Sequence, residues 1–186
     1  MTRRITVALA STAALGMAAA GVATTAGAAA KKNEIRIVGG TKVKPGKFLK
    51  VDYRFKPRNV SVKSGATVKV VNKAKDEPHT ISFLKKRYLP TMFETAVEGK
   101  LLEAHQVNPT DQEAPPGVIV VDNGQPVPPG GVLEVDTPFT PTVAGDSAFI
   151  APGQASFSFK VTAPSGSKLF YFCGIHPWMQ GKISVK

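Results

Sequence analysis

The chain has 186 residues, of which 42% are hydrophobic and only one is cysteine, and it carries a formal net charge of +11. That apolar content suffices for one ordinary core, and a lone cysteine excludes an internal disulfide framework. The positive charge is concentrated: residues 31–87 hold 17 lysines and arginines against 4 acids, whereas residues 88–186 hold 5 against 9. The basic part has no nucleic-acid motif and is not rich in aromatics between its lysines, which argues against a nucleic-acid partner. An anionic cell envelope, an acidic protein, or a plainly solvated strand face fits it better.

In chain order, residues 1–30 read as a signal peptide. Arg3 and Arg4 precede an Ala-rich apolar run beginning at Ile5, and Ala28-Ala29-Ala30 forms an A-x-A cleavage site. Ala, Gly and Thr outweigh Leu and Ile in the run, so a cleaved leader is expected in preference to a retained anchor. Thr2-Arg3-Arg4 also hints at twin-arginine export. Residues 31–186 are then expected to be one soluble, monomeric domain acting outside the cytoplasm, in a periplasm, a cell envelope or the extracellular space.

The mature chain reads as β. Residues 34–38 alternate weakly, and residues 48–55 alternate clearly, as a half-buried strand does. Residues 60–62 and 67–71 flank a Ser64-Gly65 turn and read as a hairpin. Residues 79–83 form a short strand introduced by Glu77-Pro78. From about residue 84 to 153 the composition changes. Thr91-Met92-Phe93-Glu94 is a capping-box pattern, and Phe93, Ala96, Val97, Leu101 and Ala104 recur at helical spacing up to Gln106, although Gly99 weakens that helix. Residues 118–121 and 132–135 suggest a hairpin around Asp122-Asn123-Gly124 and a proline-rich stretch. An interval this long points to a decorated sandwich or a functional flap. Residues 156–161, 169–173 and 182–185 close the chain as three more strands. Short strands without alternating helices predict an all-β fold, a β-sandwich with a long insertion containing a short helix.

Chemistry concentrates near the C-terminus, in "YFCGIHPWMQGKISV" (residues 171–185), where His176 and Met179 follow Cys173 at intervals of three. A thiolate, an imidazole and a thioether suit copper better than hard cations. A copper site of this kind needs a second imidazole, and His79 supplies it if the strand ends carrying His79 and Cys173 are neighbours. His105 and Met92, within the inserted segment, read as solvent-exposed or packing residues and not as ligands. Three histidines cannot complete a second copper site, which disfavours a multicopper oxidase or a nitrite reductase.

"CGIHPWMQGKISV" resembles the copper-ligand loop of the cupredoxins, and its Cys-x2-His-Pro-x-Met-x-Gly-Lys pattern is similar to amicyanin and pseudoazurin within the plastocyanin-like group. "VSVKSGATVKVVNKAKDEPHTISF" resembles the first half of the same family. Together the two regions cover about residues 50–83 and 154–186. The resemblance implies a Greek-key β-sandwich holding one type 1 copper per chain and a one-electron carrier cycling between Cu(II) and Cu(I). It implies His79, Cys173, His176 and, as a long axial ligand, Met179. It also implies an electron port at His176, reaching the surface through an apolar patch with Pro177 and Trp178, and redox partner proteins, which the basic charge suggests are acidic or membrane-associated. Family members often have Asn after the first histidine. Thr80 stands there in this chain, and its hydroxyl is expected to make part of the same network. Other readings of the residues are a copper carrier that delivers metal to another protein, zinc on the same ligands, and a nucleophilic Cys173 activated by histidine. The last lacks a recognisable oxyanion or acid partner motif.

Overall fold

A long hairpin opens the fold. Strands β1 (Glu34–Val38), β2 (Thr41–Lys44), β3 (Phe48–Val51) and β4 (Arg54–Lys56) run out and back, with β1 paired to β4 and β2 to β3. The register is the same on both sides of an interruption at Gly39-Gly40 and Asp52-Tyr53. Gly39 has φ 119°, and a Cβ there would overlap the Asp52 carbonyl oxygen, so glycine is required where the two arms cross the break. Ile35, Ile37, Tyr53 and Phe55 of the inner half are buried, while β2 and β3 are exposed almost throughout. The single half-buried strand expected over residues 48–55 is therefore two short strands. Its alternation is real, because one ladder register runs through both, but only the inner part lies over the core.

The computed structural model describes residues 33–91, 97–105, 118–153 and 156–186. The expected leader, Met92 and most of the capping box lie outside them. After the hairpin come β5 (Asn59–Val62), β6 (Thr67–Asn72), β7 (His79–Leu84), helix α1 (Glu98–Ala104), β8 (Val118–Asp122), β9 (Gln125–Pro126), β10 (Leu133–Val135), β11 (Ser147–Ile150), β12 (Ser156–Val161), β13 (Lys168–Phe172) and β14 (Gln180–Val185). Two sheets, β10-β12-β6-β1-β4 and β5-β14-β13-β7-β11-β8-β9, face one another as a β-sandwich with Greek-key crossings between the layers. Ile35, Ile37, Val68, Val70 and Phe159 from one layer meet Ile81, Phe83, Tyr171 and Ile183 from the other. Phe83 packs edge-on against Phe159 with ring centroids 5.4 Å apart.

Two expected hairpins are corrected. The chain changes sheets at Ser64-Gly65: β5 runs parallel to β14, and β6 runs parallel to β1. The Gly65 N–H is donated to Val161 of β12, so the turn is fastened to a neighbouring strand instead of closing a β5-β6 ladder. In the insertion the turn was correctly placed but its partner was not. Asn123 and Gly124, with φ 49° and 77°, make the two-residue turn that joins β8 to the short β9. β10 instead joins the opposite sheet beside β12. The other neighbour of β8 is β11, a strand not anticipated in the sequence, which sits between β8 and β7.

Helix α1 begins at Val97 without a side-chain cap. Val97, Leu101 and Ala104 form a second apolar cluster with Leu84, Val121, Phe139 and Phe172. The insertion thus adds β8, β9 and β11 to one sheet and β10 to the other, and packs a helical turn against the first. Among the described residues no helix is long and apolar enough to cross a membrane.

Candidate metal centre

His79 is the first residue of β7, and Cys173 directly follows β13, the strand antiparallel to β7. Antiparallel neighbours put the start of one beside the end of the other, so the fold brings together residues 94 positions apart in sequence. His176 occupies the loop leaving Cys173, and Met179 directly precedes β14. The loop closes on itself: the Cys173 N–H donates to the Met179 carbonyl at 3.0 Å and the Met179 N–H to the His176 carbonyl at 2.8 Å. One nitrogen of each histidine and the Cys173 sulfur lie within 4.8 Å of one another, and all three residues are buried. Met179 is buried beside them in the core.

The hydrogen bonds orient both rings. His79 Nε2 lies 3.1 Å from the Ala74 carbonyl, which can only accept, so Nε2 carries the proton and Nδ1 is a bare lone pair. That Nδ1 is buried and has no hydrogen-bond partner. His176 points Nε2 at Glu77 Oε2, 3.5 Å away, and Nδ1 at Cys173 Sγ, 3.7 Å away. Each imidazole therefore turns Nδ1 inward and holds its other nitrogen on an acceptor, the arrangement that fixes a ligand's tautomer. Burial, and then the neighbouring His176, lowers the His79 pKa to about 4, and burial also lowers that of His176, so both rings are neutral at neutral pH. Burial pushes the Cys173 thiol up, which opposes a free thiolate until a cation compensates. One orphaned lone pair, a second inward nitrogen and a buried sulfur fit a soft, thiolate-bound ion such as copper.

Thr80 fulfils the expectation placed on its hydroxyl. Its N–H donates to Cys173 Sγ at 3.2 Å, and its Oγ1 accepts the Gly174 N–H at 2.8 Å, tying the two ligand segments together. The chain of hydroxyls continues inward. Thr80 Oγ1 lies 3.0 Å from Ser82 Oγ, which lies 2.7 Å from Ser147 Oγ on β11, which lies 2.8 Å from His105 Nε2 just after α1. His105 is buried, contrary to the solvent-exposed reading, and burial lowers its pKa to about 4. Leu101 of the same helix packs where a Cβ on Gly174 would project, which explains glycine beside the cysteine. The insertion thus supports the ligand loop from behind. Sequence reasoning missed this link, although Thr80 and Ser82, both polar and two apart on a buried strand, were its visible trace.

Tyr53 was also missed. Its ring lies 5.0 Å from that of His79 and 4.7 Å from that of His176, and its hydroxyl donates to Asp76. Trp178 packs edge-on to His176 at 5.3 Å and donates its indole N–H to the Tyr53 carbonyl. These rings leave only 4% of His176 accessible, so the expected surface histidine is covered. Pro177 is buried as well, and the exposed apolar flanks are Ile175 and Trp178.

No protein-family model matches the chain, and no curated protein does. Solved structures similar to it include a purple cupredoxin from Nitrosopumilus maritimus at 15% identity, with 83% of this chain and 100% of that one covered at a TM-score of 0.40. Auracyanin from Roseiflexus castenholzii matches at 15% identity, covering 82% of this chain and 94% of its own at a TM-score of 0.41. Plastocyanin from Dryopteris crassirhizoma matches at 16% identity, covering 82% and 99% at a TM-score of 0.37. All three are cupredoxins, the family that the two ligand segments resemble.

Proposed function

We propose that this chain is an exported type 1 copper protein that carries single electrons between partner proteins, with one copper per chain that His79, Cys173, His176 and Met179 would hold. The observation that carries this reading is the convergence within 4.8 Å of one donor atom from each of three buried residues, in a site where His79 Nδ1 has no hydrogen-bond partner. When bound, copper supplies the Cu(II)/Cu(I) couple. The chain's own contribution is to hold the donors still. His79 and Cys173 sit at the ends of paired strands, the ligand loop is closed by its own backbone bonds, and Thr80 locks the segments to each other. A donor set that cannot rearrange lowers the reorganisation accompanying electron exchange. The burial of all four side chains favours this role over copper delivery, because delivery needs ligands that an incoming acceptor can reach. Tyr53 and Trp178 exclude water from His176 and place aromatic rings between it and the surface.

The full chain loaded with Cu(II) should be intensely blue or green, with the narrow copper hyperfine splitting of a thiolate site in EPR. Cys173→Ser should abolish the colour and His176→Ala should change both spectra. A colourless protein whose Cys173 remains reduced after loading would sink the assignment. N-terminal sequencing of exported protein should begin at Lys31, which tests the leader and the domain 31–186 together.

A further inference from the structure

The outer half of the long hairpin takes no part in the core or the donor set. It nevertheless holds half of the large hydrophobic residues exposed among the described residues: Val43 and Leu49, each 67% exposed, Phe48 at 53% and Val51 at 36%. Residues 41–51 also contain four lysines and no acid. Lys42 and Lys50 are direct cross-strand partners, a like-charge pairing that Asp52, 3.4 Å from Lys50, offsets only on the Lys50 side. Val43 and Leu49 pair on the opposite face, while Phe48 shares the lysine face through its pairing with Lys44.

We propose that this ribbon, residues 41–51, docks the protein on an anionic lipid bilayer by entering its headgroup layer. The placement of apolar groups on both faces decides between lipid and protein. A protein surface would cover one face of the ribbon and leave the other in water, whereas the interfacial layer of a bilayer surrounds both. Lysine stems can lie along the apolar groups while their ammonium ends reach lipid phosphates. The unpaired edges of a two-stranded ribbon keep water in that layer, so entry is shallow.

The ribbon's base touches the candidate metal centre. Thr41 Oγ1 donates to Glu77 Oε1 at 3.1 Å, the other oxygen of the same carboxylate faces His176 Nε2 at 3.5 Å, and the neighbouring Tyr53 covers both histidine rings. Docking would therefore bring the His176 end towards the membrane, where a membrane-held redox partner could meet it. This use of the contact rests on the copper reading, whereas lipid binding itself does not.

The test is co-sedimentation of the full chain with vesicles of phosphatidylcholine containing phosphatidylglycerol, and with phosphatidylcholine alone. Any contribution of residues 1–30 is common to all variants, so differences between variants report the ribbon. Binding should require the anionic lipid, should weaken about fivefold for each of Lys42→Gln and Lys50→Gln, and should weaken about tenfold for Phe48→Ser with Leu49→Ser at unchanged charge. Variants that bind like the parent overturn the proposal. Sensitivity to the lysines alone overturns it too, because the ribbon then does not enter the headgroup layer. Ribbon variants that leave vesicle binding unchanged but slow electron transfer to an acidic redox protein would make the ribbon a protein dock, and overturn it as well. A copper-loaded protein that stays colourless yet binds anionic vesicles through the ribbon supports this proposal while sinking the copper assignment.

Discussion

The inner and outer halves of the first hairpin share one register and have opposite surroundings. In the inner half, Ile35, Ile37, Tyr53 and Phe55 disappear under the sandwich; beyond Gly39 and Asp52 the same ladder continues with Val43, Phe48 and Leu49 in the open. Strand pairing alone thus decides neither burial nor role. What covers the pair decides both, and the inner half serves folding while the outer half is free for contact.

The sharpest challenge to this contrast is a pair of matched truncations. Phe55→Ala should destabilise the protein by about 3–5 kcal/mol through a core cavity, whereas Phe48→Ala should change stability by less than about 0.5 kcal/mol. Urea unfolding of both variants checks this, and equal losses would mean that the ribbon is covered by part of the chain. The next effect concerns a polar group on the buried side of the boundary. His105 stays neutral in the fold down to about pH 4, while the unfolded chain takes up its proton near 6.5. Its folded pKa is therefore the lower one, and stability should fall as pH drops from 6.5 towards 4, by up to about 3 kcal/mol. In copper-free protein His105→Gln should remove that part of the acid loss. An unchanged pH slope would place His105 in contact with water. The smallest effect falls on the joint between the halves. Thr41→Val should cost about 1 kcal/mol and shift the reduction potential of the copper-loaded protein, because Glu77 loses a donor while facing His176. An unmoved potential would show that ribbon and centre are uncoupled.

The grouping of His79, Cys173 and His176 was legible because Cys173 and His176 lie within one loop and His79 opens a strand after a proline, so local spacing pointed to it. Most strands were legible from alternation. The limit of the sandwich within the first hairpin was not, since a shared register gives both halves the same alternation; the Gly39-Gly40 pair opposite Asp52 was the only mark of the break. Ser64-Gly65 looked like a hairpin turn because turn chemistry is local, while the choice of Val161 as hydrogen-bond partner is tertiary. β11 escaped notice because it is covered on both faces and its residues do not alternate. His105 carried no spacing signal at all. Its partner Ser147 lies 42 residues further on, in β11 of the same insertion, and Ser82, the next hydroxyl in the chain of bonds, precedes the insertion altogether.

The enclosure of Cys173 has a consequence for the chemistry open to its sulfur. With no accessible surface on the cysteine, neither an oxidant nor another chain's thiol can reach its sulfur in the closed fold, so an oxidising compartment need not consume it. The same wall stands in the way of an arriving ion. On the proposed copper reading, uptake requires the His176 loop to lift, and the rate of colour development after copper addition becomes a clock for that opening.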